Sequence, residues 1–363
     1  MVERKEYLDQ LWAWKDEQQI KVVTGIRRCG KSVLLEQYQH RLLAHGATPD
    51  QIISINFENL DYEDLKDYRK LYQYLKERLC VDKTSYIFLD EIQEVPSFEK
   101  VVDSLYIRER VDIYLTGSNA YMLSSELTTL LSGRYVEIRM LPLSFREYRT
   151  VTGMAKEDAF AEFMKTGGIP YVAVMDRTDE KIDQYLEGIY NTVIVKDIEQ
   201  RQERRDAEGR GRKVTDITLL KTIARYLASV IGSPVSMKSI TDYLISSGRK
   251  VSQNTVSDYV EALTESFVFY PVERFDIVGK QLLKINQKYY MVDMGIRNHI
   301  LPRKRYDLGF TIENVVYLEL ARRGYKVNIG KYGATEVDFV TQKDGVITYY
   351  QVTADMTAEE TFE

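Results

Sequence analysis

The sequence predicts an α/β fold that opens on a parallel sheet and continues into two smaller modules. Three observations predict it. Short apolar runs alternate with helical patterns over the first 150 residues, the signature of parallel strands joined by crossover helices. A glycine-rich loop separates the first strand-like run from the helix behind it. Past a charged, glycine-containing stretch at Gln202–Lys213, the pattern turns to helices and then to strands, as modules joined by a linker do. A chain of 363 residues suits two or three domains.

The elements follow in order. Ile20–Thr24 reads as a short strand and Ser32–Leu43 as a helix. Gln51–Phe57 is a second strand, and Tyr68–Arg78 is helical, with apolar positions three and four apart. Tyr86–Asp90, Asp112–Thr116 and Val136–Met140 supply three more strands. Residues 155–200 read as helices. Helices are then expected over Leu219–Ile231, Met237–Ser246 and Gln253–Thr264, before a strand at Phe267–Val272. That order matches a winged helix-turn-helix. Lys288–Val292 is a strand, Ile312–Arg323 a helix, and Lys326–Ile329, Val337–Thr341 and Val346–Val352 are strands. The end, Ala358–Glu363, reads as the start of a helix, so a longer natural chain is expected.

The chemistry concentrates in the first part. Gly25-Ile-Arg-Arg-Cys-Gly30-Lys31-Ser32 is a complete Walker A pattern, placed after a strand and before a helix. Glycines let the backbone wrap phosphates, and the helix N-terminus adds a favourable dipole. The expected nucleotide contacts are Gly25, Arg28, Cys29, Gly30, Lys31, Ser32 and Val33. Lys31 is expected on the β- and γ-phosphates of ATP and Ser32 on Mg²⁺. Tyr86-Ile-Phe-Leu-Asp90-Glu91 ends an apolar strand in two acids. Asp90 would position Mg²⁺ and Glu91 would polarise the attacking water. Asn119, with Ser118 as the alternative, is the candidate sensor of the γ-phosphate. Arg134 is a candidate arginine finger, acting on a neighbouring subunit's ATP, or else a surface arginine. Gly167-Gly168-Ile-Pro170 either shapes the nucleotide pocket or stops a helix.

These residues resemble the AAA+ ATPases, in the archaeal and bacterial branch that carries a winged helix and a restriction-endonuclease-like C-terminal domain. The resemblance rests on Val23–Ser32, Phe88–Gln93, Leu115–Asn119, Leu131–Tyr135, Leu141–Phe145 and Gly167–Pro170. It implies four segments: an ATPase core at 1–150, a helical lid and linker at 151–213, a winged helix-turn-helix at 214–277 and an endonuclease-like α/β domain at 278–363. It also implies a ring- or cluster-forming homo-oligomer, hexameric in one form, whose nucleotide state moves the attached modules. In the endonuclease-like fold, Glu313 and Asp338 match two of the expected acids. Gln351 and Thr353 stand where an acid and a lysine belong, so a fold kept for binding is expected rather than a nuclease.

Charge bounds the partners. A net charge of −5 excludes a uniformly basic coat for nucleic acid. From 214 to 275, acids balance bases, and Arg249, Lys250 and Asn254 are the candidate DNA contacts there. From Lys280 to Arg305 the chain is more basic: Lys280, Lys284, Lys288, Arg297, Arg303, Lys304 and Arg305 surround Tyr289 and Tyr290, against the single acid Asp293. Arg303, Lys304 and Arg305 are further candidate DNA contacts. No stretch approaches the roughly 20 apolar residues that cross a bilayer, and the N-terminus shows no secretory pattern. With two cysteines and no zinc-site spacing, a cytoplasmic protein without membrane contact is expected.

Overall fold

The computed structural model describes residues 2–117, 131, 133–176, 178–193, 216–279, 281–301, 308–333 and 335–354. The chain divides into two compact units, Met1–Met140 and Leu141–Glu363.

The first unit is a parallel sheet with its helices. In chain order it contains α1 (Lys5–Ala13), β1 (Ile20–Thr24), α2 (Lys31–Ala44), β2 (Ile52–Asn56) and α3 (Tyr68–Arg78). It goes on with β3 (Ser85–Asp90), α4 (Phe98–Tyr106), β4 (Val111–Gly117) and β5 (Tyr135–Arg139). The strand order is β2-β3-β4-β1-β5 and every pairing is parallel. β1 and β3 are buried at every residue, which is why they read as unbroken apolar runs rather than alternating ones. α4, not foreseen from the sequence, buries Phe98, Val101, Val102 and Leu105. Their i, i+3, i+4, i+7 spacing is one helical face. These residues join Ile20, Val22, Ile87, Leu89, Ile113 and Leu115 in one core. Because all five strands run the same way, Thr24, Asp90 and Thr116 come to the same edge. In open α/β sheets, ligands bind at that carboxyl edge.

The second unit begins with α5 (Phe145–Thr152), α6 (Lys156–Thr166), α7 (Pro170–Val174) and α8 (Asp179–Asn191). Next come α9 (Ile217–Ser229), β6 (Pro234–Val235), α10 (Met237–Ser246), α11 (Gln253–Glu265), β7 (Phe269–Asp276) and β8 (Gln281–Met291). Then α12 (Met294–Ile300), α13 (Leu308–Arg322), β9 (Lys326–Tyr332), β10 (Thr335–Lys343) and β11 (Val346–Tyr350) follow. The helix starts follow capping chemistry. Ser144 and Glu147 form a capping box on α5, and Asp216, Ser252 and Asp293 cap α9, α11 and α12. One mixed sheet, ordered β11-β10-β9-β7-β8-β6, runs through this unit. β7 and β8 form an antiparallel hairpin, and β7 also pairs in parallel with β9. The domain boundary expected at 277/278 therefore falls inside a hairpin, in a sheet that continues on both sides of it.

Gly167 ends α6 at φ 77, and a Cβ there would lie 2.1 Å from Asp293 Oδ1. Asp293 is buried and accepts the Gly168 and Ile296 N–H groups at 2.6 and 3.1 Å. The Gly167–Pro170 motif is thus a helix stop clasped onto a buried carboxylate. Burial pushes that carboxyl up to about 6, against the pull of its backbone hydrogen bonds.

Candidate active site

The loop after β1 is built by backbone conformations that favour glycine. Gly25 has φ 146, and a Cβ on it would lie 2.2 Å from the Met140 carbonyl oxygen. Gly30 has φ 101 and precedes α2. Within the loop, the Cys29 N–H donates to the Ile26 carbonyl at 3.3 Å, so this amide is committed to the turn. Buried Arg4 donates to the Cys29 carbonyl at 3.1 Å and ties the N-terminal segment to the loop. Burial pushes the Cys29 thiol up, and the side chain packs as a small buried group rather than a thiolate. Arg28 is exposed at φ 69, while Ser32 and Val33 are half-buried at the start of α2.

Lys31 is buried within this cradle. Its Nζ donates to the Gly25 carbonyl at 3.1 Å and lies 3.9 Å from Glu91 Oε1. Asp90 and Glu91 follow directly at the end of β3. Asp90 accepts hydrogen bonds from the Thr116 hydroxyl and from Asn56 Nδ2 at 3.0 Å, and the Ser32 hydroxyl stands near enough to favour its ionised form. Burial pushes the Asp90 carboxyl above its ordinary range, and the two hydroxyls pull it back. The Glu91 N–H donates to Thr116 Oγ1 at 2.9 Å. Glu91 itself stands at φ 54, a left-handed conformation uncommon for a non-glycine residue. Its carboxylate accepts a hydrogen bond from Gln93 Nε2.

Loop lysine, helix-start serine and paired acids therefore meet at one edge of the sheet, as the sequence led one to expect. Thr116, Asn56, Gln93 and Arg4 were not singled out from the sequence. Thr116 stands inside the Leu115–Asn119 motif, two residues before Ser118. Asn119 and Ser118 lie outside the described residues.

The residues present fit a magnesium nucleotide. The Ser32 hydroxyl and the nearby Asp90 carboxylate are hard oxygen donors, which suit Mg²⁺. Among the described residues no group of three His, Cys, Asp or Glu side chains could hold a metal ion. Mg²⁺ at phosphate sites is generally held by one or two protein oxygens together with phosphates and water.

Arg134 sits elsewhere. Its carbonyl accepts the Ile20 N–H at 2.9 Å, at the amino edge of the sheet, opposite the loop. Its guanidinium lies 3.5 Å from Asp103 and over the Tyr106 ring.

In the second unit, Arg249 pairs with Asp216 at 3.0 Å, while Lys250 and Asn254 are exposed. Arg303, Lys304 and Arg305 lie outside the described residues. Within the basic stretch from Lys280 to Arg305, Lys288 and Arg297 need correction as surface residues. Lys288 is buried between Glu313 at 3.1 Å and Glu336 at 2.6 Å. Arg297 is buried and donates to the Ala228 carbonyl at 2.9 Å, and Tyr289 and Tyr290 are core residues. Clustering in sequence gave way to a strand and a helix that turn these side chains inward. Glu313 also accepts from Tyr290 at 2.5 Å, and Asp338 Oδ2 accepts the Val352 N–H at 2.7 Å. Burial pushes both carboxyls up. No helix among the described residues is long and apolar enough to cross a membrane.

Residues 17–149 match a family described as an AAA domain, and residues 157–307 match a domain of unknown function. An uncharacterized protein of Haemophilus influenzae is 38% identical over 97% of this chain and 86% of its own length. An uncharacterized protein of Methanocaldococcus jannaschii is 29% identical over 88% of this chain and 71% of its own. Among solved structures, the Walker-type ATPase of Pyrococcus abyssi superposes with a TM-score of 0.50 at 16% identity, over 83% of this chain and 96% of that one. Loop geometry, paired acids and these likenesses converge: the chain belongs to one family with the Haemophilus influenzae protein, and its first domain is an ATP-binding domain of the AAA type.

Proposed function

We propose that the protein is a magnesium-dependent ATP hydrolase of the AAA+ class that couples turnover to DNA. The observation that carries the hydrolase reading is the Thr116 hydroxyl joining Asp90 to Glu91, with Lys31 and Ser32 beside them. The loop from Gly25 to Val33 holds the phosphates, and Lys31 neutralises charge on the β- and γ-phosphates. Ser32 and Asp90 would hold Mg²⁺, which when bound supplies charge stabilisation at the phosphates. Glu91 takes a proton from the attacking water. Asn119 senses the γ-phosphate. Arg134 faces away from its own loop, so it serves a neighbouring subunit's ATP in a homo-oligomer, a hexamer in the simplest ring.

DNA is assigned to the second unit. α9, β6, α10, α11 and the β7–β8 hairpin follow the order of a winged helix. Lys250 and Asn254 are exposed at the start of α11 and offer a backbone-contacting edge with Arg249. Arg303, Lys304 and Arg305 extend the same role. The endonuclease-like reading of residues 278–363 keeps the fold without the nuclease: Lys288 already neutralises Glu313 and Glu336, and Gln351 and Thr353 replace the acid and lysine. A second reading, a nucleotide-dependent switch acting on a protein partner, is favoured by the pairing of Arg249 with Asp216, which spends one of the few cations of that module.

The test is an ATPase assay with duplex, single-stranded and branched DNA, coupled to a native mass measurement. DNA should raise turnover and the mass should be a multiple of the chain. No binding at moderate salt and no change in turnover would overturn the DNA reading and leave the switch.

A further inference from the structure

β3 ends at Asp90, and the left-handed Glu91 turns the chain back on itself. The short 3₁₀ turn that follows is closed by the Glu94 N–H on the Glu91 carbonyl at 3.1 Å, and by the Val95 N–H on the Ile92 carbonyl at 3.0 Å. This turn returns the Gln93 side chain onto Glu91, where Nε2 donates to Oε2 of the carboxylate. Both side chains are buried, Gln93 at 5% exposure and Glu91 at 8%.

The other end of the Gln93 amide is different. Oε1 is buried and has no hydrogen-bond partner among the described residues. A buried glutamine that serves only the fold pairs both ends of its amide, because an unmet acceptor away from water is costly. An acceptor held open beside a carboxylate calls for a ligand with two donor hydrogens. Water is such a ligand. Lys31 lies near Glu91 Oε1, at 3.9 Å, so the three groups border one small polar space.

We propose that Gln93 is a further catalytic residue. Its nitrogen fixes the orientation of Glu91, and its oxygen accepts a hydrogen from the water that Glu91 polarises. In the step it serves, the water oxygen bonds to the γ-phosphorus. The bond to the β–γ bridging oxygen breaks with its electron pair passing to ADP, and the water proton passes to Glu91. The proposal rests on the reading of Glu91 as the base.

The experiment uses the full chain as wild type, Gln93→Leu, Glu91→Gln and the double variant. Steady-state ATPase kinetics, equilibrium binding of a fluorescent ATP analogue and thermal unfolding are measured on each. Gln93→Leu should lower kcat at least about tenfold while KM and analogue affinity stay within about threefold. Its Tm should change little, since the lost hydrogen bond to Glu91 is offset by removal of an unmet acceptor. Added to Glu91→Gln, it should cause no further loss, because the two side chains act as a unit. If Glu91→Gln abolishes turnover while Gln93→Leu stays within about twofold of wild type, the role of Gln93 is overturned and the hydrolase reading stands. Losses that multiply in the double variant also overturn it. If Glu91→Gln itself leaves turnover unchanged, the underlying reading fails first. Should Gln93→Leu not fold, Gln93→Glu keeps the shape and an acceptor but loses the donor, and the same fall in kcat decides.

Discussion

Replacing Thr116 by valine tests the joint between the two acids. Thr116 is fully buried at the end of β4. Its hydroxyl donates to Asp90 and accepts the Glu91 N–H. Valine keeps the shape and removes both bonds. A hydrogen bond to an ionised carboxylate contributes about 1.5–3 kcal/mol, and an amide left without an acceptor costs about 1–3 kcal/mol. The extra buried methyl returns about 1 kcal/mol. The net loss is about 1.5–5 kcal/mol. Urea unfolding followed by tryptophan fluorescence reads it cleanly, because both tryptophans, Trp12 and Trp14, lie in the first unit. Thr116→Ser is the control: it keeps the hydroxyl and should lose only about 1 kcal/mol. The same hydroxyl pulls the Asp90 carboxyl back from its raised position. Asp90 must be ionised to hold a cation, and it ionises above its pKa. Losing the hydroxyl therefore moves the acid limb of ATPase activity to higher pH in Thr116→Val and not in Thr116→Ser. A valine variant no less stable than the serine variant, with an unmoved acid limb, would show that the Thr116 hydroxyl does not join the two acids.

Other outcomes follow from the same structure. Asp112→Ala leaves the fully buried Lys21 without the carboxylate 2.6 Å away, and should cost about 3–5 kcal/mol in the tryptophan assay, against much less for Lys21→Met with Asp112→Leu. Asp293 carries a folded pKa of about 6 against an ordinary 3.8, so the folded state holds the extra proton between those values. Stability should fall as pH rises through that window, by roughly 3 kcal/mol in all, and Asp293→Asn should flatten the slope of Tm against pH. Arg134→Ala should leave stability within about 0.5 kcal/mol, since its pair with Asp103 is exposed, yet abolish turnover. Mixing it with Lys31→Ala chains should restore activity if the arginine works between subunits; no recovery would place its role elsewhere.

The parts of this architecture that were legible in the sequence are those written locally. β1 and β3 are buried on both faces and so read as apolar runs, and the glycines of the phosphate loop mark positions at positive φ. Asp90 and Glu91 declared themselves as adjacent acids ending such a run. Thr116 did not, because its meaning lies in the parallel pairing of β3 with β4, 26 positions away in the chain. Gln93 was hidden for a related reason: only the left-handed turn at Glu91 folds it back onto the carboxylate. α4 was legible in retrospect, since Phe98, Val101, Val102 and Leu105 form a regular stripe. Within the basic run from Lys280 to Arg305, Lys288 and Arg297 misled in the opposite direction. Charge in sequence says nothing of facing, and Lys288 and Arg297 point into the second unit, to Glu313 and Glu336 and to the Ala228 carbonyl.

Lys31, Asp90 and Glu91 together are assigned the hydrolysis of ATP. The most direct measurement is turnover and ATP binding compared between the wild type and Glu91→Gln. Wild type should release phosphate in the presence of Mg²⁺, and Glu91→Gln should bind ATP with near-normal affinity while releasing none. Turnover that survives in Glu91→Gln, or a wild type that binds no ATP, would rule this assignment out.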